Sequence, residues 1–80
     1  MNRVSVESSV LASVLYLPGR RLLEIEFHSG LFYQYFDVPQ HSYSELLKAE
    51  SKGAYFNAHI RNRFFCKQID LTSRTGHAGR

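Results

Sequence analysis

The chain is short of several residue types, and each shortage narrows what it can be. Its cysteine is limited to Cys66, which excludes an internal disulfide and a structural metal site built from thiolates. A lone thiol suits a reducing compartment, and a cytoplasmic protein is expected. The histidines His28, His41, His59 and His77 lack the close Cys/His spacing that metal sites use, so neither metal nor cofactor is expected. No apolar run approaches the roughly 20 residues of a membrane span. Met1–Glu7 lacks the apolar stretch of a secretory signal. Eighty residues leave room for one domain, expected to be monomeric, with a thin stability margin.

Aromatic residues are what the chain has in quantity. Six Phe and five Tyr supply a core that so small a domain would otherwise lack, since each buries roughly 150–250 Å² when packed. Charge is unevenly placed. Residues 1–51 carry four Lys/Arg against six Asp/Glu, whereas residues 52–80 carry six (Lys52, Arg61, Arg63, Lys67, Arg74 and Arg80) against Asp70 alone. A basic end of this kind steers a protein toward polyanions, or is simply a solvated surface.

The hydropathy pattern predicts an α+β fold: a three-stranded antiparallel meander followed by two α-helices packed on one face of the sheet. Val10–Leu17 is a strand that stops at Pro18-Gly19, a turn dipeptide. Leu23, Ile25 and Phe27 alternate with Glu24, Glu26 and His28, as in a strand with one wet face. Leu31–Val38 is the third strand. Val4 and Val6 either add an edge strand or pack across the sheet. Pro39 then changes the period. A helix begins between Pro39 and Tyr43, helped by the capping-box pattern Ser42-Tyr43-Ser44-Glu45. Tyr43, Leu46 and Leu47 form its apolar stripe, and Ser51-Lys52-Gly53 ends it, with Gly53 in the left-handed conformation. A second helix is expected from about Ala54 to Cys66, presenting Phe56, Ile60 and Phe64 inward. The folded domain is placed at residues 4–71, with 72–80 a disordered tail.

The turn between the second and third strands decides what the tyrosines do. A two-residue turn at Ser29-Gly30 would face Gln34 into the core, at a cost of about 1–3 kcal/mol if unpartnered. A three-residue loop, His28-Ser29-Gly30, with glycine at the left-handed position of a bulged turn, pairs Ile25 with Tyr33 and Leu23 with Tyr35. This second register is favoured. It sends Phe32, Gln34 and Phe36 to the face that carries Glu24 and Glu26, where carboxylates would repel the phosphates of any bases stacked on the aromatics.

Several motifs are read in order along the chain: Val6-x-Ser8-Ser9, Tyr16, Leu23-x-Ile25-x-Phe27-x-x-Gly30, Tyr33-x-Tyr35, Val38-Pro39, Tyr43, Leu46-Leu47, Ala49, Ser51-Lys52-Gly53, Tyr55-Phe56-Asn57 and Ile60-Arg61. Together they resemble the KTSC family, a small domain named for the C-terminus of some lysyl-tRNA synthetases and also found as a single-domain bacterial protein. The resemblance covers roughly residues 4–69. It implies an uncharacterised function, with RNA binding as a suggestion, and no catalytic residues. Where the family has Gly-Tyr-Asp this chain has Leu15-Tyr16-Leu17, so no acidic role is carried over.

The residues themselves give two readings of function. In the first, the domain is a non-catalytic module that binds RNA, either tRNA or another structured RNA. Lys52, Asn57, Arg61, Arg63 and Lys67 meet its phosphates, with Tyr55 or Tyr43 as stacking neighbours. Ser51-Lys52-Gly53 opens a helix whose free N–H groups favour an anion, and Asn57 and Arg61 lie one helical turn apart. Arg61 fits either a phosphate or an internal tether to a strand carbonyl or Asp37. In the second reading, Phe32, Phe36 and Arg61 form a protein-contact surface. An enzyme is not expected: Cys66 and His59 form the one nucleophile–base pair worth naming, and both are placed on one helix with the thiol buried.

Overall fold

The computed structural model describes residues 3–69. Five antiparallel strands form one sheet in chain order: β1 Val4–Ser5, β2 Leu11–Leu17, β3 Leu22–Phe27, β4 Phe32–Tyr35 and β5 Cys66–Ile69. Helices α1 (Gln40–Lys48) and α2 (Lys52–His59) lie between β4 and β5. The class is α+β as expected, with two strands beyond the meander. The expected tail at 72–80, and the last residues of the domain bounds, fall outside the described residues.

The bulged turn is present. Glu26 lies opposite Phe32, Ile25 opposite Tyr33 and Leu23 opposite Tyr35. The Phe27 N–H donates to the Leu31 carbonyl at 2.9 Å, which leaves His28-Ser29-Gly30 as the loop, and Gly30 takes φ +95°. That backbone is open to glycine and strained for other residues. Leu11, Val14, Tyr16, Leu23, Ile25 and Tyr35 therefore share one face, buried against Val38, Leu46, Phe56 and Ile60. Tyr16 closes this core at the end of β2. Its hydroxyl donates to the Val38 carbonyl at 2.6 Å and its ring stacks on Tyr43 of α1 at 4.9 Å.

The opposite face carries no helix, yet it is not simply wet. Arg3, brought over the sheet by β1, pairs with Glu24, donates to the Ser13 hydroxyl at 3.0 Å and lies over the Phe32 ring at 5.3 Å. The Ser13 hydroxyl in turn donates to Glu26 at 2.7 Å, and the Gln34 amide donates to Glu24 at 3.2 Å. Glu24 is left only 6% exposed. A carboxylate buried this far is tolerable because it is paired and hydrogen-bonded.

The helices differ from expectation at three points. First, α1 starts at Gln40, inside the expected range, but with Pro39 preceding it and the Ser42 N–H bonded to the Pro39 carbonyl the Ser42–Glu45 pattern does not cap it. Second, Gly53 is not a left-handed cap. It lies in the first turn of α2, beside Ser8 and Val10. Third, α2 ends at His59 rather than running to Cys66. Ile60 and Arg61 both donate to the Phe56 carbonyl, and Asn62 at φ +67° turns the chain out of the helix, a conformation asparagine tolerates better than most residues. Phe56, Ile60 and Phe64 all pack on the core, with Phe64 doing so from the connecting segment. The chain then returns to the sheet as β5, which puts Cys66 opposite Tyr35 and Lys67 opposite Gln34.

Candidate functional site

A cleft of about 390 Å³ opens where the end of α2 and its following turn meet β3, β4 and β5. Phe27, Tyr33, Tyr35 and Phe56 give it aromatic walls, Val10 adds an aliphatic one, and Asn57, Arg61, Asn62 and Cys66 supply polar groups. The alternation of β3 and β4 dictates this composition. Phe27, Tyr33 and Tyr35 point to the helix side, where α2 is too short to cover them all.

The walls brace one another. Phe27 stands edge-on to Tyr33 at 5.7 Å and to Phe56 at 5.5 Å, while Tyr35 meets Phe56 edge-on at 5.5 Å. These are the favoured aromatic arrangements. Tyr33 and Tyr35 lie side by side along β4 with their rings inclined by 31°. Burial holds the Tyr35 phenol protonated up to a pKa of about 12; the neighbouring Cys66 and Tyr33 push the same way and Arg61 pushes against them. The phenol is therefore a hydrogen-bond donor at neutral pH.

Arg61 sits at the mouth. It donates to the Asn57 side-chain oxygen at 3.3 Å, so the Asn57/Arg61 pair expected from the sequence is formed. The tether to Asp37 is not, because Asp37 pairs with Arg21 at 2.8 Å. Among the described residues, both ion pairs belong to the N-terminal half, Arg3 with Glu24 and Arg21 with Asp37. Among the described residues, no carboxylate lines the cleft.

The other residues expected at the site are distributed around the molecule. Lys52 lines a neighbouring recess at the start of α2 and donates to the Ala49 carbonyl at 3.1 Å. The Ser51 hydroxyl accepts from the Ala54 N–H there, and Glu7 and Glu50 share that recess. A first-turn N–H is thus already used, and two carboxylates oppose an anion. Tyr55 stacks on His59 at 4.5 Å, and burial, with Glu45 of α1 as a second cause, raises its pKa. It belongs to the α1–α2 side, not the cleft. Arg63 is exposed in the turn after α2. Lys67 is on β5 opposite Gln34, on the uncovered sheet face. The basic groups do not form a single helical stripe.

Cys66 is exposed, not buried, and lies on a strand rather than on a helix shared with His59. Phe32 is half-buried beneath Arg3, and Phe36 packs on Phe65 at 5.6 Å. Among the described residues, the most exposed large apolar side chain is Phe65, at 74%. Sequence reasoning missed Asn62, Cys66 and the Tyr33/Tyr35 platform as cleft residues. The Asn62 signal was available, since asparagine between Arg61 and Arg63 is a natural left-handed helix exit.

Fold and cleft define a small α+β module with an aromatic recess under a single arginine. The KTSC domain model matches residues 7–64, and the chain belongs to that family. A KTSC domain protein from Yersinia pestis superposes with a TM-score of 0.84 at 38% identity, covering 86% of this chain and 97% of that one. An uncharacterised protein of Stutzerimonas stutzeri is 46% identical over 57 residues, 71% of this chain and 80% of its own length. A lysine–tRNA ligase of Nostoc sp. is 40% identical over 63 residues, which is 79% of this chain but 11% of the ligase. The ligase matches through one small part of its length. Among the described residues no helix is long and apolar enough to cross a membrane.

Proposed function

We propose that this domain is a non-catalytic module that binds RNA through the side of the molecule on which α2 ends. The observation that carries this is the division of its charges. Glu24 and Asp37 are engaged by Arg3 and Arg21, whereas Arg61 stands over a cleft that no carboxylate of the described residues lines, with Arg63 exposed two residues on. Arginine's planar fork suits a phosphate, and such uncompensated cations raise the encounter rate with a polyanion. Similarity to a stretch of a lysine–tRNA ligase gives structured RNA, tRNA included, as a partner class to test. Arg61, Asn57 and Arg63 are the first contacts; Lys52 lies in the neighbouring recess, and Lys67, on the uncovered sheet face, stands apart from them.

The test is a titration of the full chain with labelled tRNA at about 50 and 200 mM salt. Two phosphates neutralised by Arg61 and Arg63 predict a loss of roughly seven- to twelvefold across that range. No bound RNA at the lower salt ends the proposal.

A further inference from the structure

Resting on the RNA reading, we infer that the cleft under Arg61 receives one unpaired nucleotide, its base against Tyr33 and a phosphate on Arg61. The module then selects single-stranded segments or ends over duplex. Size is the first ground. A recess of about 390 Å³ accepts one nucleotide, and a base within a duplex is stacked on both faces and paired along its edge, so it cannot enter. Only splayed bases reach aromatic pockets of this kind.

The wall chemistry is the second ground. Tyr33 is the partly exposed ring of this wall; Tyr35, buried beside it on the same strand, and the edge-on contact of Phe27 hold it in place. Bases stack on such rings with little regard to sequence. The polar rim is matched to a base edge and a phosphate together. Asn57 gives one side-chain oxygen to Arg61, which leaves its amide N–H groups to donate. Asn62 offers both a donor and an acceptor, and the remaining guanidinium N–H groups face an anion.

Charge separates this cleft from its neighbour. The two recesses share Val10 and Asn57 as a common boundary, but the one at the start of α2 holds Glu7 and Glu50 beside Lys52, whereas the aromatic one has Arg61 and, among the described residues, no carboxylate. A strand crossing this boundary is thus anchored on the Arg61 side.

The experiment compares a fluorescein-labelled single-stranded RNA octamer with the same octamer annealed to its complement, by anisotropy at about 50 mM salt. The single strand should bind at least tenfold more tightly. Removing a stacking aromatic lowers affinity roughly five- to hundredfold, so Tyr33→Ala should weaken the single strand by at least fivefold and leave the duplex background unchanged. Arg61→Gln, at an exposed position, removes a phosphate contact without disturbing the core and should weaken both forms, the single strand by at least fivefold. In the wild-type chain, the side-chain amide resonances of Asn57 and Asn62 should move on addition of the octamer. Equal affinity for both forms, or unmoved amide resonances at saturation, would overturn the cleft assignment while leaving RNA binding standing. Failure to bind either form, with capture of a glutamate–tyrosine copolymer instead, would overturn both.

Discussion

Arg21 and Asp37 face one another just before β3 and just after β4, both in left-handed backbone (φ 50° and 63°) and joined by a 2.8 Å ion pair. The Val38 N–H donates to the Arg21 carbonyl at 2.8 Å, fixing the two turns together. This is where the sheet hands the chain over to α1.

Both side chains are exposed, so the ion pair itself is worth little, about 0–1 kcal/mol. Backbone conformation is the larger effect. Asp37→Asn, which keeps tolerance of the left-handed region, should change stability by less than about 0.5 kcal/mol, whereas Asp37→Val should cost roughly 1–2 kcal/mol. Urea unfolding measures both. Equal losses would assign the stabilisation to charge instead.

Tyr35 makes stability depend on alkaline pH. The unfolded phenol ionises near pH 10, while the folded one keeps its proton to about 12, chiefly through burial. Between those values the unfolded state has lost a proton that the folded state retains, so rising pH favours unfolding. Stability from this group is complete below pH 10 and should fall by up to roughly 1.4 kcal/mol per pH unit up to pH 12. The burial-raised Tyr43 adds in the same direction. Denaturant midpoints from pH 8 to 12 should show this decline, and Tyr35→Phe should flatten it. An unchanged profile in that variant would mean that another group governs the alkaline limit.

Gly53 offers a test of how α2 docks. A Cβ there would lie 3.5 Å from the Ser8 hydroxyl and from a Val10 methyl, an ordinary contact. Gly53→Ala should therefore keep the fold and gain up to about 1 kcal/mol of helix preference. Gly53→Val pushes further carbons into Val10 and should lose about 1–3 kcal/mol. Thermal melting distinguishes the two, and a destabilising alanine would show that the contact has no room.

The strand-to-strand register was legible because one residue, Gln34, had a poor alternative: a core position with no partner. Tyr16, Leu23, Ile25 and Leu46 were equally readable as core from alternation and helical spacing. The end of α2 was not. Phe56, Ile60 and Phe64 keep a helical interval although the helix stops at His59, because a turn can deliver a third aromatic to the same core. β5 is Cys-Lys-Gln-Ile, with no apolar alternation to announce a strand; it is defined by the edge of β4 that it covers. The pairing of Glu24 depends on Arg3, 21 residues before it, and such contacts between distant residues leave no local pattern. The cleft inherits these gaps, since its far wall is β5 and its rim is the turn at Asn62.

Every seam of the sheet joins strands that are close in sequence except the last, where residues 36–65 separate β4 from β5. Closing a long loop costs entropy that only later contacts repay. The first four strands can zip from their hairpins outward, while the final seam waits for both helices to settle. Substitutions in β5 should thus speed unfolding and leave the folding rate nearly unchanged in stopped-flow measurements; slowed folding would place this seam in the nucleus instead. On this ordering, the pocket is the last thing the polypeptide acquires. A chain still emerging during synthesis would own its scaffold well before it owned a place to hold anything.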